Sequence, residues 1–179
     1  MKKRVWIIGL VIFLALFVWR YLAVNREYPS PVVEVYSMNE PMIHNGFEIT
    51  ATDIKWYDEK ISQQYRDEIF PDAPQKEEKR LSVTLSIKNI GNQRAYLNTV
   101  YYELEAFAWR AGIDGDFLHY IEGGEENPEL EPGESTQLEL PFRMVSSHFP
   151  GKQWDELKTE DFQLLIAVYP VKKVFQLSD

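Results

Sequence analysis

The feature that most constrains this chain is its opening, MKKRVWIIGLVIFLALFVWRYLAV, in which Val5 to Trp19 carry no charge. At 1.5 Å per residue, a helix over that run covers about 22 Å of a hydrocarbon layer roughly 30 Å thick. It spans the layer if Arg20 extends its guanidinium to the headgroups and the helix continues to Val24. Val5 and Trp6 then mark one interface, and Trp19, Arg20 and Tyr21 the other. A cleavable secretory signal would need small residues at two alternate positions, and the available pairs, Tyr21 with Ala23 and Ala23 with Asn25, are not small at both. A buried core helix would need partners for an apolar surface on every side. The reading is therefore an uncleaved anchor over residues 1–24. Lys2, Lys3 and Arg4 on the amino side, against Arg20 and Arg26 on the other, favour a cytoplasmic N-terminus and an extracytoplasmic body.

Charge separates the two parts. The first 24 residues hold four of the 19 basic side chains and no acid, leaving 15 basic against 28 acidic in the remainder. A body near −13 repels nucleic acid and anionic lipid, so neither is an expected partner of it. With no cysteine there is no disulfide framework, thiolate metal site, cysteine nucleophile or lipid-bearing Cys. Residues 25–31, NREYPSP, carry two prolines that suit a short extended tether. Residues 32–179 suffice for one domain with one core.

Within that domain the period is two. In LSVTLSIKNIGN, Leu81, Val83, Leu85 and Ile87 alternate with Ser82, Thr84, Ser86 and Lys88. STQLELPFRM does the same with Thr136, Leu138, Leu140, Phe142 and Met144 inward, and Pro141 makes this an edge or bulged strand. VYYELEAFAW reads as one strand with Tyr102, Leu104, Ala106 and Ala108 on the core face. GFEITATDIKWY changes parity between Ala51 and Ile54, which a bulge near Thr52 and Asp53 explains. Phe162 to Tyr169 is nearly continuous apolar strand, broken at Pro170 and resumed from Val171 to Leu177. VVEVYSM and DFLHYI add two more strands. HNG and EPGE supply turns, Pro132 and Gly133 suiting the centre of type II. The fold expected is all-β: an immunoglobulin-like antiparallel β-sandwich of seven or eight strands after one N-terminal transmembrane helix. Two longer connections interrupt it. Asp58 to Lys79 has Ile61, Tyr65 and Ile69 at helical spacing; Ser146 to Asp161 pairs a Pro150-Gly151 turn with Trp154 and Leu157.

VTLSIKNIGN followed some forty residues later by LEPGESTQLELPF, after a single anchor, resembles the membrane- or lipid-anchored immunoglobulin-like proteins of Gram-positive bacteria grouped in telokin-like families of unknown function. The positions that carry the resemblance are Val83, Leu85, Ile87, Asn89 and Gly91, then Pro132, Gly133, Leu138, Leu140 and Phe142. It implies an extracytoplasmic accessory or binding domain and names no reaction. Without cysteine, the helix is the only anchor of the kinds those proteins use.

Chemistry is sparsely signalled. Asp114 and Asp116 flank a glycine, with Glu122, Glu125 and Glu126 downstream, an oxygen-rich stretch that suits Ca²⁺ but lacks the glutamate-ended twelve-residue loop. His44, His119 and His148 are isolated, without zinc spacing, and Ser146-Ser147-His148 are only neighbours in sequence. No cofactor is expected. Trp56, Trp109 and Trp154 are candidate stacking surfaces for a sugar or peptide, against a plain packing role. The long connection is the preferred recognition surface, with Tyr65, Ile69, Phe70 and, from the second connection, Trp154 as partner contacts. The function expected is a binding or accessory module, not an enzyme, that contacts an envelope or membrane protein and meets the lipid bilayer through its helix. The alternative is a module for cell-wall sugar, peptide or Ca²⁺; an envelope hydrolase using paired carboxylates is a distant third.

Overall fold

The computed structural model describes residues 2–72, 77–122 and 127–178, apart from the side chains of residues 2–5, 8 and 122. Two compact units divide the chain, Met1–Val32 and Val33–Asp179. The first is a helix, α1 (Lys2–Glu27). It continues through Asn25, Arg26 and Glu27, which the sequence reading assigned to the tether, because nothing before Pro29 breaks the helical hydrogen-bond pattern. Its span Gly9–Glu27 is long and apolar enough to cross a membrane, and none of it is buried. The buried-helix alternative is thereby set aside: an apolar surface left open on all sides is what a membrane anchor or a signal sequence presents.

The second unit is a β-sandwich. One sheet has the order β2 (Met42–His44), β3 (Phe47–Trp56), β4 (Glu78–Asn89), β9 (Ser135–Val145), all antiparallel. The other has the order β1 (Val32–Tyr36), β11 (Val171–Gln176), β10 (Gln163–Ala167), β6 (Glu103–Ala106), β7 (Trp109–Gly112). A short pair, β5 (Ala95–Tyr96) with β8 (Glu129–Leu130), lies apart. Leu81, Val83, Leu85 and Ile87 of β4 face inward at 0–1 % exposure, as their alternation requires, and meet Leu104, Leu164, Ile166 and Phe175 from the opposite sheet in one cluster. Burying each such side chain is worth about 1.5–3 kcal/mol.

Local irregularities follow the sequence closely. Pairing of β3 with β4 slips between Ala51 and Asp53, so Ala51 faces Leu85 while Asp53 faces Thr84: this is the bulge that the parity change demanded. β9 is an edge strand. Pro141 sits where its carbonyl points away from β4 and accepts from the Asp114 amide at 2.7 Å, so its missing N–H costs the ladder nothing. Gly133 adopts φ +80° at the third position of a turn closed by the Glu134 amide on the Glu131 carbonyl, 3.0 Å. Asn89, 1 % exposed, holds the neighbouring turn through the Gly91 amide and the Gln93 and Leu130 carbonyls; a Cβ at Gly91 would lie 3.1 Å from its Oδ1.

Two expected strands are corrected. DFLHYI is helical, within α3 (Gly115–Glu122). Asp114 Oδ1 accepts from the Phe117 amide at its start, and Phe117, Tyr120 and Ile121 fall on one helical face that packs together. VYYELEAFAW is a hairpin: β6 ends at Ala106, Phe107 and Ala108 turn the chain, and Trp109 pairs back with Ala106. Ala108 is therefore exposed, not inward. With these changes the described strands number eleven, several of two to four residues, against the seven or eight expected. The helix predicted in the long connection is present as α2 (Glu59–Ile69), and the second connection holds the short α4 (Lys152–Asp155).

Candidate functional site

Arg80 organises the outward face of the β3–β4–β9 sheet. It is 1 % exposed on a face that alternation assigns to solvent, because α2 and α3 cover it. Its Nε donates to Asp114 Oδ2 at 2.9 Å, and Nη2 lies 3.2 Å from Glu78 Oε2. The guanidinium carbon sits 4.5 Å from the Phe117 ring centroid and 5.1 Å from that of Tyr65. Tyr57, Tyr65 and Phe117 close around it edge to face, with centroids 5.0–5.1 Å apart. Such buried charge is tolerable only when paired: Glu78 also meets Arg143, and Glu139 takes the Tyr57 and Ser82 hydroxyls, while Arg80 Nη1 and Glu78 Oε2 are left without a hydrogen bond. Burial, then the charges of Asp114 and Asp116, push the Tyr65 phenol above its ordinary range.

This arrangement locates several of the sequence candidates. Tyr65 is 3 % exposed and belongs to the Arg80 cluster, so it is a packing residue and not a contact surface. Asp114 is turned inward to Arg80 and to the start of α3, while Asp116 stands exposed on the first turn. The side chain of Glu122, and Glu125 and Glu126 altogether, lie outside the described residues. Among the described residues no three acids or histidines converge as a metal site would require.

Ile69 and Phe70 remain 49 % and 45 % exposed, and Ile61, on the same helix, 40 %. Asp58 caps α2 by accepting from the Lys60 amide at 2.8 Å, Ser62 and Tyr65 face inward, and the Phe70 ring meets Tyr65 at 6.0 Å. Between α2, the start of β4 and α4 runs a polar groove of about 630 Å³, with Glu59, Ser62, Arg66, Glu77, Lys79 and Asp155 among its walls. Trp154, only 9 % exposed, closes its floor; Lys79 Nζ stands 4.4 Å from that ring centroid and donates to the Trp154 carbonyl.

Of the three body tryptophans, Trp109 and Trp154 are joined through Phe149, at centroid distances of 5.2 and 6.2 Å, whereas Trp56 packs against Phe162 in the core. His148 accepts the Trp109 indole N–H at 3.3 Å; His119 is exposed on α3, and His44 sits beside the Asn45-Gly46 turn. Burial, with Lys173 nearby, holds the His44 imidazole below its ordinary value. Sequence reasoning missed Arg80, because a charged residue in an alternating strand reads as solvent-facing until a helix is known to cover it. It missed Phe107 and Phe149 because neither stands in a motif.

Residues 33–173 match the family model described as "Domain of unknown function (DUF5028)". The chain belongs to that family. The match begins inside β1 and ends inside β11, so the family is the sandwich and α1 lies outside it. No curated protein matches the chain. Among solved structures it is similar to the yjhA protein of Bacillus subtilis, with 10 % identity over 80 % of this chain and 99 % of that one, at a TM-score of 0.50. It is also similar to an uncharacterized β-sandwich protein of Clostridium difficile 630, with 13 % identity over 83 % and 97 % of the two chains and a TM-score of 0.48. A conserved hypothetical protein of Bacillus anthracis has 15 % identity over 80 % and 95 %, with a TM-score of 0.49. At such identities the likeness is one of fold.

Proposed function

We propose that this member of the family is a single-pass, membrane-anchored accessory module: α1 stays attached with its amino end in the cytoplasm, and an immunoglobulin-like, telokin-like sandwich outside binds an envelope or membrane protein without catalysing a reaction. The observation that carries the binding reading is the apolar margin that α2 leaves open around its packed face. A helix fixed through Tyr65 and Asp58 leaves Ile61, Ile69 and Phe70 uncovered, and apolar side chains held open on a rigid element are what a partner surface needs. The carboxylates beside it are occupied by Arg80, Arg143, Tyr57 and Ser82, which supports binding over acid–base chemistry. The positive amino flank and acidic body support the orientation.

Photo-cross-linking from position 70 in intact cells tests this. The proposal expects one dominant envelope or membrane protein to be captured, with capture lost when Ile69 is replaced by Ser, and none captured from the exposed strand position Lys88. An equal, diffuse pattern from positions 70 and 88 would contradict it.

A further inference from the structure

Phe107 stands in a place where its chain would do better with another residue. The β6–β7 hairpin turns on two residues, Phe107 and Ala108, and Phe107 adopts φ +56°. A two-residue turn with positive φ at its first centre is a glycine position. Among the described residues the other two-residue hairpin, between His44 and Phe47, is built from Asn45 and Gly46, and the remaining non-glycine residue of positive φ is also an asparagine, Asn39. Phe107 is in addition 62 % exposed, so its ring contributes little to the core while its backbone is strained. Both costs are explained if the ring serves a ligand.

What surrounds it identifies the kind of ligand. Phe107, Trp109, Arg110, His148, Phe149 and Gln153 line an open cleft of about 670 Å³. Trp109 is braced from behind by buried Phe149. The indole N–H can only donate, so His148 must accept at Nδ1, and its neutral ring carries the proton on Nε2, free to donate outward. Gln153 supplies an amide donor and acceptor. Arg110 brings no net charge, since it pairs with Glu103 at 3.1 Å and with Glu105, whose other oxygen takes Lys172 at 2.8 Å, two cations against two carboxylates. Flat apolar faces ringed by neutral hydrogen-bonding groups, without an uncompensated charge, match a ring that has one C–H face and an equatorial belt of hydroxyls.

We propose that this cleft is a binding site for an uncharged pyranose oligosaccharide, one sugar ring lying on Phe107 and Trp109 while His148 and Gln153 hydrogen-bond its hydroxyl or acetamido groups. It lies at the β6–β7 turn and does not use the α2 margin, so it stands or falls independently of the partner reading.

The test is calorimetric titration of the full chain, in nanodiscs free of sugar detergent, with chitotetraose and cellotetraose. Saturable binding of at least one is expected, with a dissociation constant in the range usual for a shallow site, about 0.1–5 mM. Phe107→Gly should weaken it about tenfold while leaving the melting temperature equal or higher, because glycine suits a positive φ at the first centre of the turn and only the ring is lost. His148→Ala should weaken it about fivefold. No saturable heat from either sugar up to about 20 mM, binding unchanged in Phe107→Gly, or an uncharged tetrapeptide binding at the cleft in place of both sugars would each overturn the proposal.

Discussion

At the scale of single residues, Arg80 is the side chain on which the outer layer depends. It holds Glu78 and Asp114 in ion pairs and lies between two rings, all away from water. Replacing it with Met keeps the length but strands Asp114 and leaves Glu78 to Arg143 alone, and breaking a buried pair in this way costs about 3–5 kcal/mol. Urea denaturation of Arg80→Met should show that loss, and the double variant Arg80→Met/Asp114→Asn should recover part of it. Tyr102 presents the opposite case. It is 2 % exposed, its hydroxyl has no hydrogen-bond partner, and burial pushes its phenol well above the ordinary value of 10.0. Removing an unsatisfied buried hydroxyl should be neutral or stabilising by up to about 1 kcal/mol in Tyr102→Phe. The same group sets an alkaline limit. Above about pH 10 the unfolded chain has released a proton that the native phenol retains, so stability present below pH 10 is lost as pH rises toward the native value. Melting temperatures from pH 8 to 12 should fall less steeply for Tyr102→Phe than for the parent.

At the scale of elements, α2 is secured at one end by a single cap. Asp58→Ala removes the acceptor of the Lys60 amide and should cost about 0.5–2 kcal/mol by thermal denaturation, with Asp58→Ser restoring most of it. How far the elements could be read in advance depended on whether one period fits a stretch. Leu81 to Ile87 fit only the strand period, and Ile61, Tyr65 and Ile69 only the helical one, so β4 and α2 were legible. The parity change in β3 revealed its bulge without any structural knowledge. DFLHYI is too short to separate the periods: Phe117, His119 and Ile121 alternate, while Phe117, Tyr120 and Ile121 also make a helical face, and the Asp114 cap with Arg80 behind it selects the helix. The β6–β7 turn was hidden because Phe107 and Ala108 carry no turn signal, Phe107 occupying a conformation that sequence reasoning reserves for glycine or asparagine. Of the candidate contact residues, Ile69 and Phe70 stand exposed, as the long connection suggested they would. Tyr65 and Trp154 are buried where exposure was expected, because a large aromatic reads alike whether it faces a partner or its own core.

At the scale of the whole molecule, the central claim is that a helix open on all sides stays joined to an acidic sandwich and leaves that sandwich outside the cell membrane. The chain has no cysteine, so a single introduced thiol reports without background. The direct measurement is labelling of an Asn92→Cys variant in intact cells with a membrane-impermeant maleimide, followed by mass determination of the labelled protein. The account predicts labelling before lysis, in the membrane fraction, on a polypeptide of the full 21.0 kDa plus the label. Labelling only after lysis, or a labelled product lacking residues 1–24, would contradict it.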